Sequence, residues 1–440
     1  MSLPVLDSAP CALPGTPLAA ARAGLDLCVH CGFCLPACPT YVTLEDENDS
    51  PRGRLVLMHA LVDGSLAPDD PDVRRHLDRC LGCRGCETAC PSGVPYGHLL
   101  EAARATLAEG QRPPLLARLV LAVFARAWLL RPALFGARLL RATGLPRWFA
   151  RRLPSRLAFP AAMLASSAPA RRSRRWRPRP DQDRGAAVLL DGCVMAGLYG
   201  HVHAATRRTL AHHGYRLTRA PGQRCCGALH AHAGDLATAR ALARANVAAF
   251  ERAPEAVIAV DSAGCGAMLK EYAHLLAADA AWAERAAAVA ARTRDVSELL
   301  AEAGPRPAAA ASRAPNGSNG PNGARPRVAY DAPCHLLHAQ RVALPPLAVL
   351  GAVGGIDVVP LEDSDQCCGA AGIYNLIEPA TSDAVLAPKL RHVTDARADL
   401  VATGNPGCLM QIGAGLLIAG SPARAVHPVE LLDAVYAAEA

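Results

Sequence analysis

Residues 28–39, CVHCGFCLPACP, decide how the first part of this chain is organised, because the same cysteine spacing returns at residues 80–91, CLGCRGCETACP. Both stretches have the form C-x2-C-x2-C-x3-C-P. Three cysteines within seven residues can wrap one corner of a metal centre. The fourth, placed before a proline, is then free to reach a second centre.

This doubled spacing is typical of two-cluster bacterial ferredoxins, in which the last cysteine of each run binds the other cluster. It predicts two [4Fe–4S] clusters and a role in electron transfer. Zinc is the alternative, but tetrahedral zinc sites usually use paired CxxC or Cys/His knuckles. The predicted ligand sets are Cys28, Cys31, Cys34 and Cys90 for cluster 1, and Cys80, Cys83, Cys86 and Cys38 for cluster 2.

Length and composition predict a protein of two or three domains in a reducing compartment. The chain has 440 residues, of which 51% are hydrophobic, enough for sizeable cores. Its seventeen cysteines lie mostly in metal-ligand spacings, and no basic start followed by an apolar run marks an N-terminal signal. These features favour the cytoplasm, where thiolates stay available for iron.

The net charge of +7 is concentrated in one segment. Sixteen arginines and no acidic residue lie between Arg112 and Pro180, and within that segment residues 115–130, LLARLVLAVFARAWLL, have apolar helical character. The run is too short and too charged for a bilayer span. It could lie on an anionic membrane surface, dock on an acidic partner or form a solvated linker. Nucleic-acid binding is not expected, because no reader motif accompanies the charge.

The C-terminal half contains an internal repeat. AAVLLDGC, a Cys-Cys-Gly and AVIAVDSAGC in the first copy correspond to RVAYDAPC, a second Cys-Cys-Gly and DLVATGNPGC in the second. The intervals between the cysteines are 32 and 39 residues in the first copy and 33 and 40 in the second, so a duplicated module is predicted. Its cysteines are Cys193, Cys225, Cys226 and Cys265, then Cys334, Cys367, Cys368 and Cys408.

Short apolar runs precede these cysteines, and alanine-rich helical segments lie between them. VLL, YRLT and AVIAV are predicted strands in the first copy, and VAY, IDVVP and DLVAT in the second. Alternating strands and helices indicate parallel sheets, whose carboxyl-end loops converge in one crevice. Each copy should therefore collect its four cysteines. The predicted fold class is α/β multidomain, with an α-helical ferredoxin-like domain followed by duplicated α/β domains.

Four thiols in one crevice favour a metal or cluster site. A thiol–disulfide reaction at the vicinal pair and buried structural cysteines are the alternatives. Asp191 and His335, beside these cysteines, are interpreted as supporting or structural groups rather than ligands, and no stronger role is assigned to four other histidines. Those four are His201, His203, His230 and His338. Cys11 lies outside every pattern and is assigned no role.

Composition sets the predicted boundaries. The stretch GPRPAAAASRAPNGSNGPNGAR is rich in proline, glycine and asparagine and predicts a flexible linker. The predicted segments are a ferredoxin domain at 20–105, an arginine-rich helical connection at 106–184, a first repeat at 185–303, a linker at 304–327 and a second repeat at 328–440. A lone glycine-rich stretch at 351–355 is interpreted as a turn, so no flavin or nicotinamide site is predicted on this chain.

The repeat resembles the cysteine-rich CCG domain of heterodisulfide reductases and related respiratory subunits. With the doubled ferredoxin motif in front, the chain is similar to the iron–sulfur subunits of glycolate oxidase (glycolate dehydrogenase) over nearly residues 20–440. CVHCGFCLPACPTY, SPRGR, YDAPCHLLHAQ and NPGCLMQI carry the resemblance. It implies partner subunits of the flavin-domain class, one with the FAD that oxidises glycolate to glyoxylate, and electron delivery toward the membrane quinone pool.

One position departs from the fullest CCG pattern, which ends in Cys-x-x-Cys. Met268 and Gln411 stand where the last cysteine would be, so a five-thiolate cluster is not implied, although four cysteines per copy could hold a four-ligand cluster. The alternatives are an iron–sulfur subunit for lactate or glycerol-3-phosphate oxidation, a disulfide reductase that works at the crevice, and a redox-sensing or assembly module.

Overall fold

The computed structural model describes residues 11–110, 114–169, 176–304 and 325–439. The chain divides into two compact units. The first contains the chain up to Leu115 together with Leu229–Leu236, and the second contains Leu116–Ala228 and Ala237–Ala440. Most of the predicted linker, residues 305–324, lies outside the described residues, and the predicted domain boundaries stay predictions.

The described part of the first unit before Leu115 consists of helices joined by loops. Leu18, Leu25, Met58, Leu61 and Leu77 are among the side chains that form its buried core. Its helices are α1 (Pro17–Ala20), α2 (Arg22–Leu25), α3 (Pro39–Leu44), α4 (Pro51–Asp63), α5 (Pro71–Asp78), α6 (Gly85–Thr88) and α7 (Tyr96–Gly110), with a 3-10 turn at Glu47–Asp49.

Helix α4 shows why the SPRGR string is needed between the two cysteine runs. Ser50 caps the helix, because its Oγ accepts a hydrogen bond from the Gly53 backbone N–H at 3.0 Å. Pro51 occupies the first turn, where a missing N–H costs nothing. A Cβ on Gly53 would lie 2.0 Å from the carbonyl oxygen of Glu47, so only glycine fits. The string thus brings Arg54 into the interior, where it is 0% exposed.

Four helices follow in the arginine-rich segment. They are α8 (Leu115–Ala125), α9 (Ala127–Ala142), α10 (Leu145–Arg152) and α11 (Ser155–Ser166). Among the described residues no single helix is long and apolar enough to cross a membrane. Helices α8 and α9 reach that length and hydropathy only as a pair, with their axes 103° apart.

The duplicated half contains two four-stranded parallel sheets, ordered β2-β1-β3-β4 and β6-β5-β7-β8. The first copy consists of β1 (Ala186–Leu189), α12 (Val194–Leu198), α13 (Gly200–His212), β2 (Arg216–Thr218), α14 (Ala228–His232), α15 (Leu236–Phe250), β3 (Val257–Val260), α16 (Ala263–Lys270), α17 (Tyr272–Leu275), α18 (Ala283–Arg292), β4 (Thr293–Asp295) and α19 (Val296–Glu302). The second consists of β5 (Arg327–Tyr330), a π-helical turn (His335–Ala339), α20 (Leu344–Gly351), β6 (Asp357–Val359), α21 (Tyr374–Ile377), α22 (Pro379–Asp395), β7 (Leu400–Ala402), α23 (Pro406–Ile418), β8 (Arg424–Val426) and α24 (Pro428–Glu439).

The two copies share one hydrophobic core within the second unit. Leu299 and Leu300 of α19 pack with Val349 and Leu350 of α20, and α13 packs against α24. Because α13 and α20 occupy corresponding places in the two repeats, as do α19 and α24, these two pairings are equivalent. The copies therefore associate like the halves of a two-fold dimer joined in one chain.

The predicted α/β class and its parallel sheets are confirmed. All six predicted strands occur, and register pairs such as Val188 with Ile258 and Val328 with Leu400 align the two central strands of each sheet. The edge strands β4 and β8 were missed. Each has three residues, TRD and RAV, and carries charged side chains, so neither shows the apolar run on which strand prediction depends.

Candidate metal centres

The predicted ligands of cluster 1 line one cavity in the first unit. Cys28, Cys31, Cys34 and Cys90 all border a space of about 420 Å³, counted with its open mouth. Three of these thiols come from the first motif and the fourth from the second, and Cys86 of the predicted cluster 2 set borders the same space. The division of the thiols between two clusters therefore stays a prediction. Cys31 is exposed at the rim.

The predicted ligands of cluster 2 also lie near one another. Burial raises the pKa of the Cys86 thiol well above its usual value, and the nearby Cys83, Cys80 and Cys38 raise it further. Several thiols held together in this way resist deprotonation unless a cation takes up the charge. Ferric and ferrous iron supply that cation, so the residues fit a [4Fe–4S] centre better than four free cysteines.

Hydrogen-bond donors approach the sulfur atoms of this second group. The Gly82 backbone N–H lies 3.4 Å from Cys80 Sγ, and the buried Tyr96 hydroxyl lies 3.6 Å from the same atom. Thr40 Oγ1 is 3.2 Å from Cys38 Sγ but donates its proton to Asp49 O at 2.8 Å. Donors such as Gly82 N–H and the Tyr96 hydroxyl stabilise negative charge on cluster ligands and raise the reduction potential.

Arg54 is a candidate site residue to which the sequence analysis assigned no role. Its guanidinium donates to His76 O at 2.6 Å, Thr40 Oγ1 at 3.1 Å and Asp49 Oδ1 at 3.0 Å. Burial alone would lower the pKa of Arg54, but Cys80, Tyr96, Cys38 and Asp49 raise it above its usual value. A buried permanent cation therefore stands beside thiols of the cluster 2 set. The SPRGR string contained the signal, because the resemblance singled it out and its second arginine is Arg54.

The first repeat gathers its four cysteines at the carboxyl ends of its strands. Cys193 Sγ and Cys225 Sγ lie 3.7 Å apart. Hydrogen bonds with Cys225 and Cys265, followed by burial, raise the pKa of the Cys226 thiol well above its usual value. The four thiols thus form a continuous group in one crevice.

The second repeat builds the same arrangement. Cys334 Sγ and Cys367 Sγ are 4.0 Å apart, and a hydrogen bond with Cys368, followed by burial, raises the pKa of the Cys408 thiol well above its usual value. The glycine after the vicinal pair has a left-handed φ of 85°, and its N–H lies 3.5 Å from Cys367 Sγ. That turn is why Cys-Cys-Gly recurs, since a side chain is strained in this conformation.

Each repeat also contains a buried cation paired with an aspartate, and in the second copy this pair lies near Cys368 and Cys408. In the first copy, His203 Nδ1 lies 2.7 Å from Asp261 Oδ2, and its Nε2 lies 2.8 Å from Asp191 O. Burial would lower the pKa of His203, but Asp261 outweighs it and raises that pKa to about 9. In the second copy, the Lys389 ammonium donates to Asp331 Oδ1 at 2.6 Å. Lys389 is one of only two lysines in the chain, and that scarcity was the available clue.

At the fifth position of the CCG pattern, both repeats have a buried side chain in place of a cysteine. Gln411 is fully buried, accepts a hydrogen bond from Asn375 Nδ2 at 2.8 Å and donates to Ser382 Oγ at 2.8 Å. Ser382 Oγ in turn donates to Gly369 O, so Gln411 supports the turn after Cys368. Met268 is buried as well. Each crevice offers four thiolates, which fit a four-ligand centre and not a five-thiolate one.

The remaining polar residues noted beside the cysteines have supporting contacts. The Asp191 carboxylate pairs with Arg207 at 3.3 Å, and His335 Nδ1 is 3.5 Å from Cys334 Sγ. His338 Nε2 lies 3.1 Å from Asp365 O, and His201 Nε2 lies 3.4 Å from Glu430 Oε1. His230 is buried. Their roles as ligands or supports stay predictions.

Comparison with known proteins agrees with this geometry. Residues 24–94 match the 4Fe-4S dicluster domain family, and residues 187–270 and 328–413 each match the cysteine-rich domain (CCG) family. The probable glycolate oxidase iron-sulfur subunit of Bacillus subtilis (strain 168) is 37% identical over 424 residues, which cover 92% of each chain. This chain belongs to the glycolate oxidase iron–sulfur subunit family. The predicted resemblance is thereby confirmed.

Two further similar proteins show which functions occur among the relatives of this chain. The glycolate oxidase iron-sulfur subunit of Escherichia coli (strain K12) is 35% identical over 389 residues, covering 87% of this chain and 88% of that protein. Lactate utilization protein A of Geobacillus kaustophilus (strain HTA426) is 29% identical over 242 residues, covering 55% of this chain and 96% of that protein. As a member of this family, the chain is an iron–sulfur electron-transfer component of an oxidoreductase.

Proposed function

We propose that this chain carries electrons from a partner subunit, whose FAD oxidises glycolate to glyoxylate, toward quinone at the inner face of the cytoplasmic membrane. Oxidation of glycolate releases two electrons and two protons. A flavin accepts the electrons as a pair, and a [4Fe–4S] centre exchanges them one at a time. The partner subunit oxidises the substrate, and this chain transfers the electrons.

One observation supports the proposal above all others. Cys28, Cys31, Cys34 and Cys90 line a single cavity, together with Cys86, although they come from two separate motifs. Thiols from both motifs around one space support the crossed ligand pattern of two-cluster ferredoxins, whose centres lie close enough together for electrons to pass between them. Cys31 is exposed at the rim, so a redox partner can approach this end of the path.

The residues of the chain have defined tasks in this proposal. The eight N-terminal cysteines bind the clusters. Gly82 N–H and the Tyr96 hydroxyl direct hydrogen bonds at Cys80 Sγ, and Arg54 supplies a positive charge to the same group. These groups stabilise the reduced state and so set which centre holds the electron.

Lactate oxidation is the second candidate, because a lactate utilization protein A matches 55% of this chain. Its lower identity and shorter coverage favour glycolate. Glycolate and lactate differ by one methyl group, and a partner subunit would have to make that distinction.

The test is to purify the chain anaerobically with its co-expressed flavin partners, mix the complex with substrate and freeze samples for EPR. With glycolate we expect reduced [4Fe–4S] signals within one turnover, and with lactate or glycerol-3-phosphate only slow reduction. Reduction of the flavin by glycolate without any reduced cluster signal would contradict the proposed path. Faster cluster reduction by lactate would move the assignment to the second candidate.

A further inference from the structure

Helices α8 to α11 expose an unusual amount of apolar surface. Across the described residues, more than half of the exposed large hydrophobic side chains fall between residues 115 and 157, about a tenth of the chain. A concentration of this kind marks an interaction surface. We call it the exposed apolar face, and within the second unit it consists of Leu116, Leu119, Trp128, Phe135, Leu139, Leu140, Leu145, Trp148, Leu153 and Leu157.

Helix α9 shows that this face points away from the protein. Trp128, Phe135 and Leu139 are 72%, 54% and 56% exposed and follow one another at helical spacing along one side. The opposite side is held by the protein, because the Arg141 guanidinium donates to Ser167 O at 2.7 Å and to Leu198 O at 3.1 Å. A surface helix in water normally exposes mainly polar side chains, whereas this helix exposes large apolar side chains together with Arg131 and Arg138.

Arginines are interleaved with the exposed aromatic rings. The Arg138 guanidinium lies 5.7 Å from the Phe135 ring centroid, and that of Arg152 lies 5.6 Å from the Trp148 ring. No Asp or Glu occurs anywhere between Arg112 and Pro180. Aromatic side chains set among cations and free of anions match the headgroup layer of an anionic bilayer.

The lengths of α8 and α9 indicate whether these helices would cross a membrane or lie in its plane. Helix α8 has 11 residues and α9 has 16, and the chain breaks between them at Arg126, whose backbone is extended. At 1.5 Å per residue they measure roughly 17 and 24 Å, less than the ~30 Å hydrocarbon layer. Helices this short, bent at 103°, suit the plane of the interface rather than a crossing.

We propose that the exposed apolar face inserts into the headgroup region of a bilayer that contains anionic phospholipid. Trp128, Phe135 and Trp148 provide the apolar anchors, and Arg131, Arg138 and Arg152 pair with lipid phosphates. An acidic protein partner would be drawn by the same arginines, but the breadth of exposed Leu, Phe and Trp favours lipid. This inference deepens the membrane location in the proposed function and does not depend on which substrate is oxidised.

The test is vesicle flotation with the anaerobically purified full-length protein. Vesicles of phosphatidylcholine alone are compared with vesicles containing about 30% phosphatidylglycerol, at low salt and at high salt. We expect the protein to float with the anionic vesicles, to float at least tenfold less with the neutral ones, and to lose much of its binding at high salt because screening weakens charge attraction.

Two sets of variants separate the anchors from the charges. The triple substitution Trp128→Ser, Phe135→Ser and Trp148→Ser should reduce binding to anionic vesicles at least tenfold at either salt concentration. The triple substitution Arg131→Gln, Arg138→Gln and Arg152→Gln should reduce it tenfold at low salt and abolish its salt dependence. Leu344→Ser, which removes a 76% exposed leucine outside the face, is the matched control and should bind like the wild type.

Iron content and circular dichroism verify that each variant is folded. Glycolate-dependent reduction of a soluble dye by the co-purified complex should be unchanged in every variant, since dye reduction does not need the membrane. Its absence in the wild type would reject the proposed function and leave the lipid result standing. Equal flotation of the wild type with neutral and anionic vesicles would overturn the inference. So would an aromatic variant that binds lipid normally but no longer retains its flavin partner.

Discussion

The ferredoxin module gathers eight cysteine thiols and each of the two crevices gathers four, yet the charges around those thiols differ. Beside cluster 2, Asp49 is shared by two guanidinium groups, those of Arg54 at 3.0 Å and Arg79 at 3.1 Å, so cations outnumber the anion. In each repeat one buried cation meets one aspartate, His203 with Asp261 and Lys389 with Asp331. The buried charges of the module are net positive, and those of each repeat's ion pair cancel.

This difference in local charge suggests different roles for the buried ions in the two kinds of site. A net positive environment stabilises the reduced state of an anionic cluster and raises its potential. A neutral pair contributes little net field and mainly fixes the loops that carry the thiols, since Asp331 also accepts from Thr403 Oγ1 at 2.9 Å. We therefore expect the ferredoxin module to respond strongly to charge changes and the crevices to respond mainly to loss of a ligand.

The largest effect is expected from Cys34→Ser. Loss of a thiolate disrupts cluster 1, so glycolate-dependent electron delivery to quinone should fall at least 100-fold while the partner flavin is still reduced at its normal rate. Quinone reductase assays and stopped-flow flavin absorbance measure the two steps. Cys11→Ser removes the one cysteine outside every motif and should behave like the wild type. Normal turnover in Cys34→Ser would show that the electrons take another route.

The crevices are tested by iron content. If each holds a four-iron centre, the anaerobically purified chain should contain clearly more than the roughly eight irons of two ferredoxin clusters. Cys226→Ser or Cys368→Ser should then each remove about four, as measured by iron and sulfide analysis with EPR. A wild-type value near eight that neither substitution changes would mean that the crevices contain no iron, and that their thiols serve another purpose.

Sequence patterns were sufficient for some levels of this structure and not for others. The cysteine spacing predicted the repeat, because metal ligands impose fixed separations on the chain, and it predicted ligand sets for two clusters that stay predictions. The apolar runs predicted the central strands, since buried parallel strands need them. The edge strands β4 and β8 are short and charged, so their sequences contain no apolar run. Arg54 contacts His76 and Lys389 contacts Asp331. Each pair is far apart in the chain, so spacing alone does not predict the contact.

Substitution of Arg54 tests whether buried positive charge sets the reduction potential of cluster 2. Arg54→Gln removes the buried cation near Cys80 and Cys38, and we expect the potential of cluster 2 to fall by on the order of 100 mV, from one unit charge a few ångströms away at an effective dielectric constant of about 20. Arg54→Lys keeps the charge and should shift the potential far less. An EPR-monitored redox titration measures both, with cluster 1 as the internal reference. Equal shifts in the two variants would assign the effect to hydrogen bonds rather than to charge.

The smallest effect concerns the neutral pair of the first crevice. The pKa of His203 is raised to about 9 in the folded protein from an ordinary value of 6.5, because Asp261 overcomes the cost of burial. A raised pKa means that the folded state holds the proton more tightly, so the stabilisation is complete below about pH 6.5 and is lost as the pH rises through about 9. The loss amounts to at most about 3 kcal/mol.

His203→Gln isolates this contribution, because other titrating groups are common to both proteins. Between about pH 6.5 and about pH 9, the free energy of unfolding of the wild type should decline relative to that of the variant. Denaturant titrations of the second unit's unfolding transition at several pH values measure this difference. Parallel pH profiles for the two proteins would show that His203 is neutral in the folded state. Asp261 would then be a buried anion without a cation, and the charge balance that distinguishes the crevices from the ferredoxin module would hold only for the second copy.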